Sequence, residues 1–188
     1  MSALFAWIAE GDRASLAAAL SEDPALAQER DENGVSPVLY ALYVREPEIA
    51  RLLAATRGEL DVFEAAALAD ADTLGELLAA NEESATAVSP DGFTALHLAA
   101  FLGDAACARL LLERGADPSA VARNAMRVQP LHSAAAARNL EVSRLLLEVG
   151  ADPNAEQQGG FRPLDAAIQN RDDALQALLR EHGATPSR

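Results

Sequence analysis

Three histidines, one cysteine and 29 carboxylates are the side chains from which this 188-residue chain could most readily build a nucleophile, a general base or a metal site. His97 and His132 stand in matching places of two similar segments, Thr94-Ala95-Leu96-His97-Leu98-Ala99-Ala100 and Gln129-Pro130-Leu131-His132-Ser133-Ala134-Ala135. A shared zinc ion would sit ~2 Å from each ring nitrogen, whereas packed helices lie ~8–10 Å apart, so the two rings would have to converge and recruit further ligands. The corresponding places next door hold Glu64 and Asp165, and neither a metal nor any other cofactor is expected. Cys107, within Ala105-Ala106-Cys107-Ala108-Arg109-Leu110, has no convincing His and acid partner to make it a nucleophile; a small buried thiol that packs is the plainer reading. Gly159-Gly160 make a tight turn more simply than a phosphate loop. Most carboxylates fall in turns, helix caps and helix surfaces, so no convergent catalytic set emerges and the chain is read as a non-enzyme.

The elements that position these side chains are repeated. The two segments above return a third time as Arg162-Pro163-Leu164-Asp165-Ala166-Ala167-Ile168, and each copy is followed by an apolar run and a turn. These are Leu110-Leu111-Leu112 with Gly115-Ala116-Asp117-Pro118, Leu145-Leu146-Leu147 with Gly150-Ala151-Asp152-Pro153, and Leu178-Leu179 with Gly183-Ala184-Thr185. Weaker copies precede them around Val38 and Phe63, and an opening copy runs from about Leu4 to Leu20. The anchors Leu4, Val38, Phe63, Leu96, Leu131 and Leu164 step by 34, 25, 33, 35 and 33 residues. The units so marked run approximately over residues 1–33, 34–58, 59–91, 92–124, 125–159 and 160–188 of one repeat domain.

Composition agrees with closely packed helices. Ala and Leu number 43 and 28, aromatics only 4%, and half of the residues are hydrophobic, which excludes an acidic disordered tail and argues strongly against an all-β fold. Each unit reads as two short helices. The first ends about seven residues past the anchor, where Gly11 or Gly103 can turn left-handed and where Arg45, Asp70, Arg138 and Arg171 hold the matching place. The second starts after Asp12, Asp104, Asn139 or Asp172, all good N-caps, and Pro47 suits a first helical position. A helix pair of this size cannot bury its apolar face alone, so the units must stack into a solenoid.

The repeat resembles the ankyrin family, whose unit of ~33 residues opens on a Thr-Pro-Leu-His-x-Ala pattern. The likeness is specific over residues 92–153, good onward to Ala184 and weaker but in register before, in the manner of a stand-alone bacterial-type array of about six repeats. It implies an all-α solenoid of stacked antiparallel helix pairs with projecting β-turn or hairpin fingers. It also implies that His97 and His132 hydrogen-bond backbone groups of the neighbouring loop. Thr56-Arg57-Gly58-Glu59-Leu60-Asp61 is too short for a full finger, and a notch is expected there.

The family's exposed concave positions, carried over by register, fall on Val35, Tyr43 and Val44; Leu60 and Leu68; Phe93, Phe101 and Leu102; Met126, Val128, Ala136 and Ala137; and Phe161, Gln169 and Asn170, with Arg123, Arg127 and Arg162 on the adjoining fingers. That row is unusually apolar for a solvated face, and aromatic anchors flanked by Arg are what interfaces use. The partner-binding set read from it is Tyr43, Val44, Leu68, Phe93, Phe101, Leu102, Arg123, Met126, Arg127, Phe161, Arg162, Gln169 and Asn170. Phe93, Val128 and Phe161 could instead pack on one another between finger bases, Phe101 and Leu102 could be core, and the arginines could pair with nearby acids.

The function implied is a non-catalytic module that binds a protein partner across the concave face, with Phe101 and Leu102 central. An alternative arises from charge: residues 1–94 carry 18 acids and 5 Arg, a net of −13, and residues 95–188 a net of −1. The acidic half could dock a basic target, making the chain a regulator or inhibitor of an enzyme. An enzyme with its site in the groove is the third class. Nucleic acid is not an expected partner, because binding a polyanion needs clustered cations. No apolar run approaches the ~18 residues that span a bilayer, and the first residues lack the basic start of a secretory signal, so a cytoplasmic monomer without membrane contact is expected. Leu4, Phe5 and Trp7 either shield the end of the stack or form a self-association patch.

Overall fold

The computed structural model describes residues 2–187; Met1 and Arg188, the outer ends of the first and last units marked above, lie outside them. Twelve α-helices follow one another among the described residues, joined in successive pairs. They are α1 (Ala3–Glu10) with α2 (Arg13–Glu22), α3 (Pro37–Tyr43) with α4 (Pro47–Arg57), α5 (Val62–Ala67) with α6 (Ala71–Ala80), α7 (Ala95–Phe101) with α8 (Ala105–Glu113), α9 (Pro130–Ala136) with α10 (Leu140–Glu148), and α11 (Pro163–Gln169) with α12 (Asp173–Glu181). Helices this short are marginal alone, and local chemistry defines where each begins. Asp12, Asp70, Asp104, Asn139 and Asp172 cap α2, α6, α8, α10 and α12, each side chain accepting the N–H three residues on. Pro37, Pro47, Pro130 and Pro163 open α3, α4, α9 and α11, where a missing N–H costs nothing.

The tight reversal inside five of the six pairs uses a left-handed residue: Gly11, Arg45, Ala69, Arg138 and Arg171, with φ of 69, 66, 60, 60 and 52°. Two expectations are corrected here. Asp70 is not the left-handed residue of its pair, because Ala69 takes that role and frees the Asp70 carboxylate to cap α6. Gly103 is not left-handed either; a Cβ there would stand 2.3 Å from the Ala66 carbonyl oxygen, so glycine is required by the close approach of α5 and not by a positive φ.

First helices stack in order, α1 on α3, α5, α7, α9 and α11, and second helices stack behind them as α2 on α4 and as α6, α8, α10 and α12. The contact of α4 with α6 is the weak place in that second row, and the buried core divides there. One cluster spans Leu4 to Leu53 and a larger one Val62 to Ala184, bridged on the first-helix side by Val35, Leu39, Ala67 and Leu98. The cause is the 25-residue step: α4 runs on through Arg57, leaving only residues 58–61 before α5. Leu4 and Phe5 are buried in the first cluster and shield its end, which removes them from an exposed self-association patch.

Fingers occupy the other connections. Each is a turn closed by a backbone bond, Asp31 N–H to Val35 O, Ser89 to Phe93, Ala122 to Val128 and Gln157 to Phe161, and no strand forms among the described residues beyond the isolated pairing of Val88 with Thr94. Neighbouring fingers are tied by Arg123 N–H to Gly92 O at 2.7 Å and Gln158 N–H to Met126 O at 3.0 Å. Gly92, at φ +90°, allows the first of these, since a Cβ would lie 2.7 Å from the Arg123 backbone.

Candidate functional site

The site is built on α7, α9 and the fingers between them. At the third position of four first helices, one acceptor caps the helix by taking the N–H of the preceding N-cap residue: Glu64 from Asp61, His97 from Thr94, His132 from Gln129 and Asp165 from Arg162. The two histidines do more. His97 Nε2 reaches Val128 O at 3.0 Å and His132 Nε2 reaches Phe161 O at 3.3 Å, so each ring donates to the next finger while its Nδ1 accepts. Burial holds both rings below the ordinary histidine pKa, in the neutral form this pairing needs. Both nitrogens of each ring are therefore spent on backbone, and among the described residues no three His, Cys, Asp or Glu side chains gather as metal ligands would. Burial, reinforced by Asp104, pushes the Cys107 thiol up to about 12, the opposite of an activated nucleophile.

A pocket of about 420 Å³ opens between the fingers and these helices, walled by Tyr43, Phe93, Leu98, Phe101, Met126, Val128 and Ala136, with His97, His132, Ser133 and Gln157 completing it. Phe101 and Met126 are 46% and 51% exposed, unusually open for large apolar side chains. Of the thirteen residues anticipated at a contact surface, Tyr43, Phe93, Phe101 and Met126 are gathered here. Phe93 is half-buried against the His97 ring, with centroids 5.8 Å apart. Val44, Leu68 and Leu102 are half-buried and pack on the core clusters, Leu102 on the one formed by Val35, Leu39, Ala67 and Leu98. Arg123 and Arg127 are exposed on the finger that carries Met126 and make no ion pair among the described residues. Phe161 is exposed on the next finger, but Arg162 is engaged by Glu156 and the Thr185 hydroxyl, each at 2.8 Å. Asn170 donates to Ala136 O at 3.3 Å, and Gln169 is exposed beside it.

Of the finger-base residues, Val128 is buried, Phe93 half-buried and Phe161 exposed, so they do not form one packed row. Val35, expected on the exposed face, is also buried. The pocket residues that register alone missed are His97, Leu98, His132, Ser133 and Gln157; comparing copies side by side, where Leu98 matches Ser133 and Phe101 matches Ala136, is the signal that could have found the hollow.

Tyr43 also borders a second, polar cleft with Asp31, Asp91, Arg123 and Asn124. Its hydroxyl donates to Asp91 Oδ2 at 2.7 Å, and burial together with that carboxylate raises its pKa well above the ordinary tyrosine value. No helix among the described residues is long and apolar enough to cross a membrane.

Comparison with protein families finds one match: the family model described as ankyrin repeats (3 copies) aligns with residues 62–157 and 123–188. The match begins at the first residue of α5, where the core divides. No curated protein matches the chain.

Proposed function

The chain belongs to the ankyrin-repeat family, whose domains are generally protein–protein interaction modules, and on that premise we propose that it binds a protein partner, without catalysis, on the concave face lined by its first helices and fingers. The observation that carries this reading is the pocket beneath Phe101 and Met126: two large apolar side chains stand about half exposed around a 420 Å³ hollow that none of the described residues fills. Exposed apolar anchors in a concavity, with arginines at the rim, are the elements from which interfaces draw most of their energy. The same premise accommodates a monomer in the cytoplasm as the working form.

The test is capture of partners by the tagged wild type and by Phe101→Asp, with the retained protein identified and its footprint mapped by hydrogen exchange. The expected result is one protein retained by the wild type, protecting α7, α9 and the fingers at 87–94 and 120–129, and lost from a variant whose melting temperature is nearly unchanged. A footprint confined to α1, α2 and α4, released by salt, would overturn this and favour docking of a basic target on the acidic half.

A further inference from the structure

The pocket exists because side-chain size drops in one step along the stack. Leu98 and Phe101 on α7 stand 35 residues before Ser133 and Ala136 on α9. Two bulky groups on one helix and two small ones on the next thus line the same hollow, whose 420 Å³ falls within the ~300–1,000 Å³ of ordinary ligand sites.

Two features specify what fills it. Ser133 is only 8% exposed, lines the pocket, and its hydroxyl has no hydrogen-bond partner among the described residues. The side-chain amide of Gln157, also on the lining, is likewise unpartnered. A purely aliphatic occupant would seal the Ser133 hydroxyl away from water unpaired, which is unfavourable. A phenol or an indole covers the apolar walls with its ring and satisfies the hydroxyl with its polar tip. The second feature is charge. Tyr43 is shared with the neighbouring cleft, where Asp31 and Asp91 stand against Arg123, and this cleft opens onto the half of the chain whose net charge is −13. A segment leaving the pocket past Tyr43 enters a negative potential, which favours Lys or Arg.

We propose that the pocket receives one tyrosine or tryptophan side chain of the partner, followed by basic residues that run past Tyr43 toward Asp31 and Asp91. This rests on the concave-face reading and gives it a recognition chemistry.

The test uses defined probes on the full chain. In amide-resolved NMR titrations, p-cresol should shift Ser133, Ala136 and Met126 with a dissociation constant of order 1 mM, and toluene should bind about fivefold more weakly. Ala136→Phe should abolish both responses. Ser133→Ala, which keeps the hollow and the fold, should bring the two probes to equal affinity. The capped peptide Gly-Tyr-Gly-Arg-Ser-Arg should bind about tenfold tighter than Gly-Tyr-Gly-Asp-Ser-Asp at about 50 mM salt, the gap closing near 0.5 M. Toluene binding as well as p-cresol to the wild type, no shift at these three residues, or an acidic peptide as tight as the basic one overturns the proposal. A partner that protects α7 and α9 while the probes leave the pocket untouched overturns this assignment alone; a partner that protects neither helix overturns the concave-face reading with it.

Discussion

Tyr43 and Asp91 lie 48 residues apart, yet the Tyr43 hydroxyl donates to Asp91 Oδ2 at 2.7 Å. The missing finger of the 25-residue step makes this possible: without it, the finger at 29–36 lies directly against the finger at 87–94. The approach is so close that a Cβ on Gly34 would stand 2.9 Å from that of Pro90. Asp91 also accepts the Ser89 hydroxyl, and its own carbonyl accepts Asn124 Nδ2 at 2.9 Å. One residue therefore links the two parts of the divided core to the finger that carries Met126.

Tyr43→Phe should cost about 1.5–3 kcal/mol, the range for a hydrogen bond to a charged group, read as a lower urea midpoint with an unchanged slope. The same bond gives stability an alkaline limit. Burial and the Asp91 charge raise the folded phenol above its ordinary value. The bond is therefore fully worth its energy below the unfolded pKa of about 10 and loses it as pH rises past that, where only the unfolded chain releases its proton. Stability of the wild type should fall above about pH 10 by more than that of the variant.

His97 and His132 set the acid side. Burial holds both below the ordinary value in the folded state, so their contribution is present above the unfolded pKa of about 6.5 and declines as pH falls from there toward the folded values. Urea midpoints measured from about pH 7.5 down to 5 should drop. In the double variant His97→Gln with His132→Gln, that dependence should flatten while stability at neutral pH is lower. His132→Asp separates the two tasks of the ring, since an Asp at this place caps α11 by accepting the Arg162 N–H. It should keep the cap of α9, lose the donation to Phe161 O, and loosen the finger at 155–162 in hydrogen exchange.

Much of the fold was legible because its signals are local. An Asp or Asn before a second helix caps it through one bond to the amide three residues on, and that bond needs nothing from the rest of the chain. Gly103 was misread for the converse reason: glycine is required there by the carbonyl of Ala66, which belongs to the neighbouring pair of helices. The pocket was half legible. Register placed Tyr43, Phe93, Phe101 and Met126 on one face, but the hollow depends on Ser133 and Ala136 being smaller than their counterparts on α7, a relation between copies rather than a property of either. Arg162 looked available in the sequence, whereas Glu156 and Thr185, 6 and 23 residues away, both converge on it.

Arg57 and Glu64 form the ion pair that fastens α4 to α5 where the second row of helices is weakly packed. The Glu64 side chain is wholly buried and also accepts the Asp61 N–H. Arg57→Met would leave that carboxylate buried without its counter-charge, a loss of about 3–5 kcal/mol. Because the core divides at this step, the loss should be uneven: hydrogen exchange in α1–α4 should accelerate well before exchange in α7–α12. Adding Glu64→Gln to Arg57→Met removes the stranded charge and should recover a substantial part of the loss.

Gln129 stands where the preceding copy has Thr94, and the difference leaves a defect. The Thr94 hydroxyl hydrogen-bonds His97 Nδ1 at 2.8 Å, so that nitrogen accepts both a hydroxyl and a backbone amide. Among the described residues His132 Nδ1 has only the Gln129 amide, at 3.2 Å, and Gln129 Oε1 is buried with no partner. Gln129→Thr should supply the absent bond and withdraw the unsatisfied oxygen in one change. An unpaired buried acceptor costs about 1–3 kcal/mol and a neutral hydrogen bond contributes about 1 kcal/mol, so stability should rise by about 1–2 kcal/mol, measured as an increased urea midpoint. In a His132→Leu background, which removes the acceptor of the new hydroxyl, the gain should shrink by about the 1 kcal/mol of that bond and keep the part that relief of the buried oxygen supplies; an undiminished gain there would mean that the Thr–His bond contributes nothing.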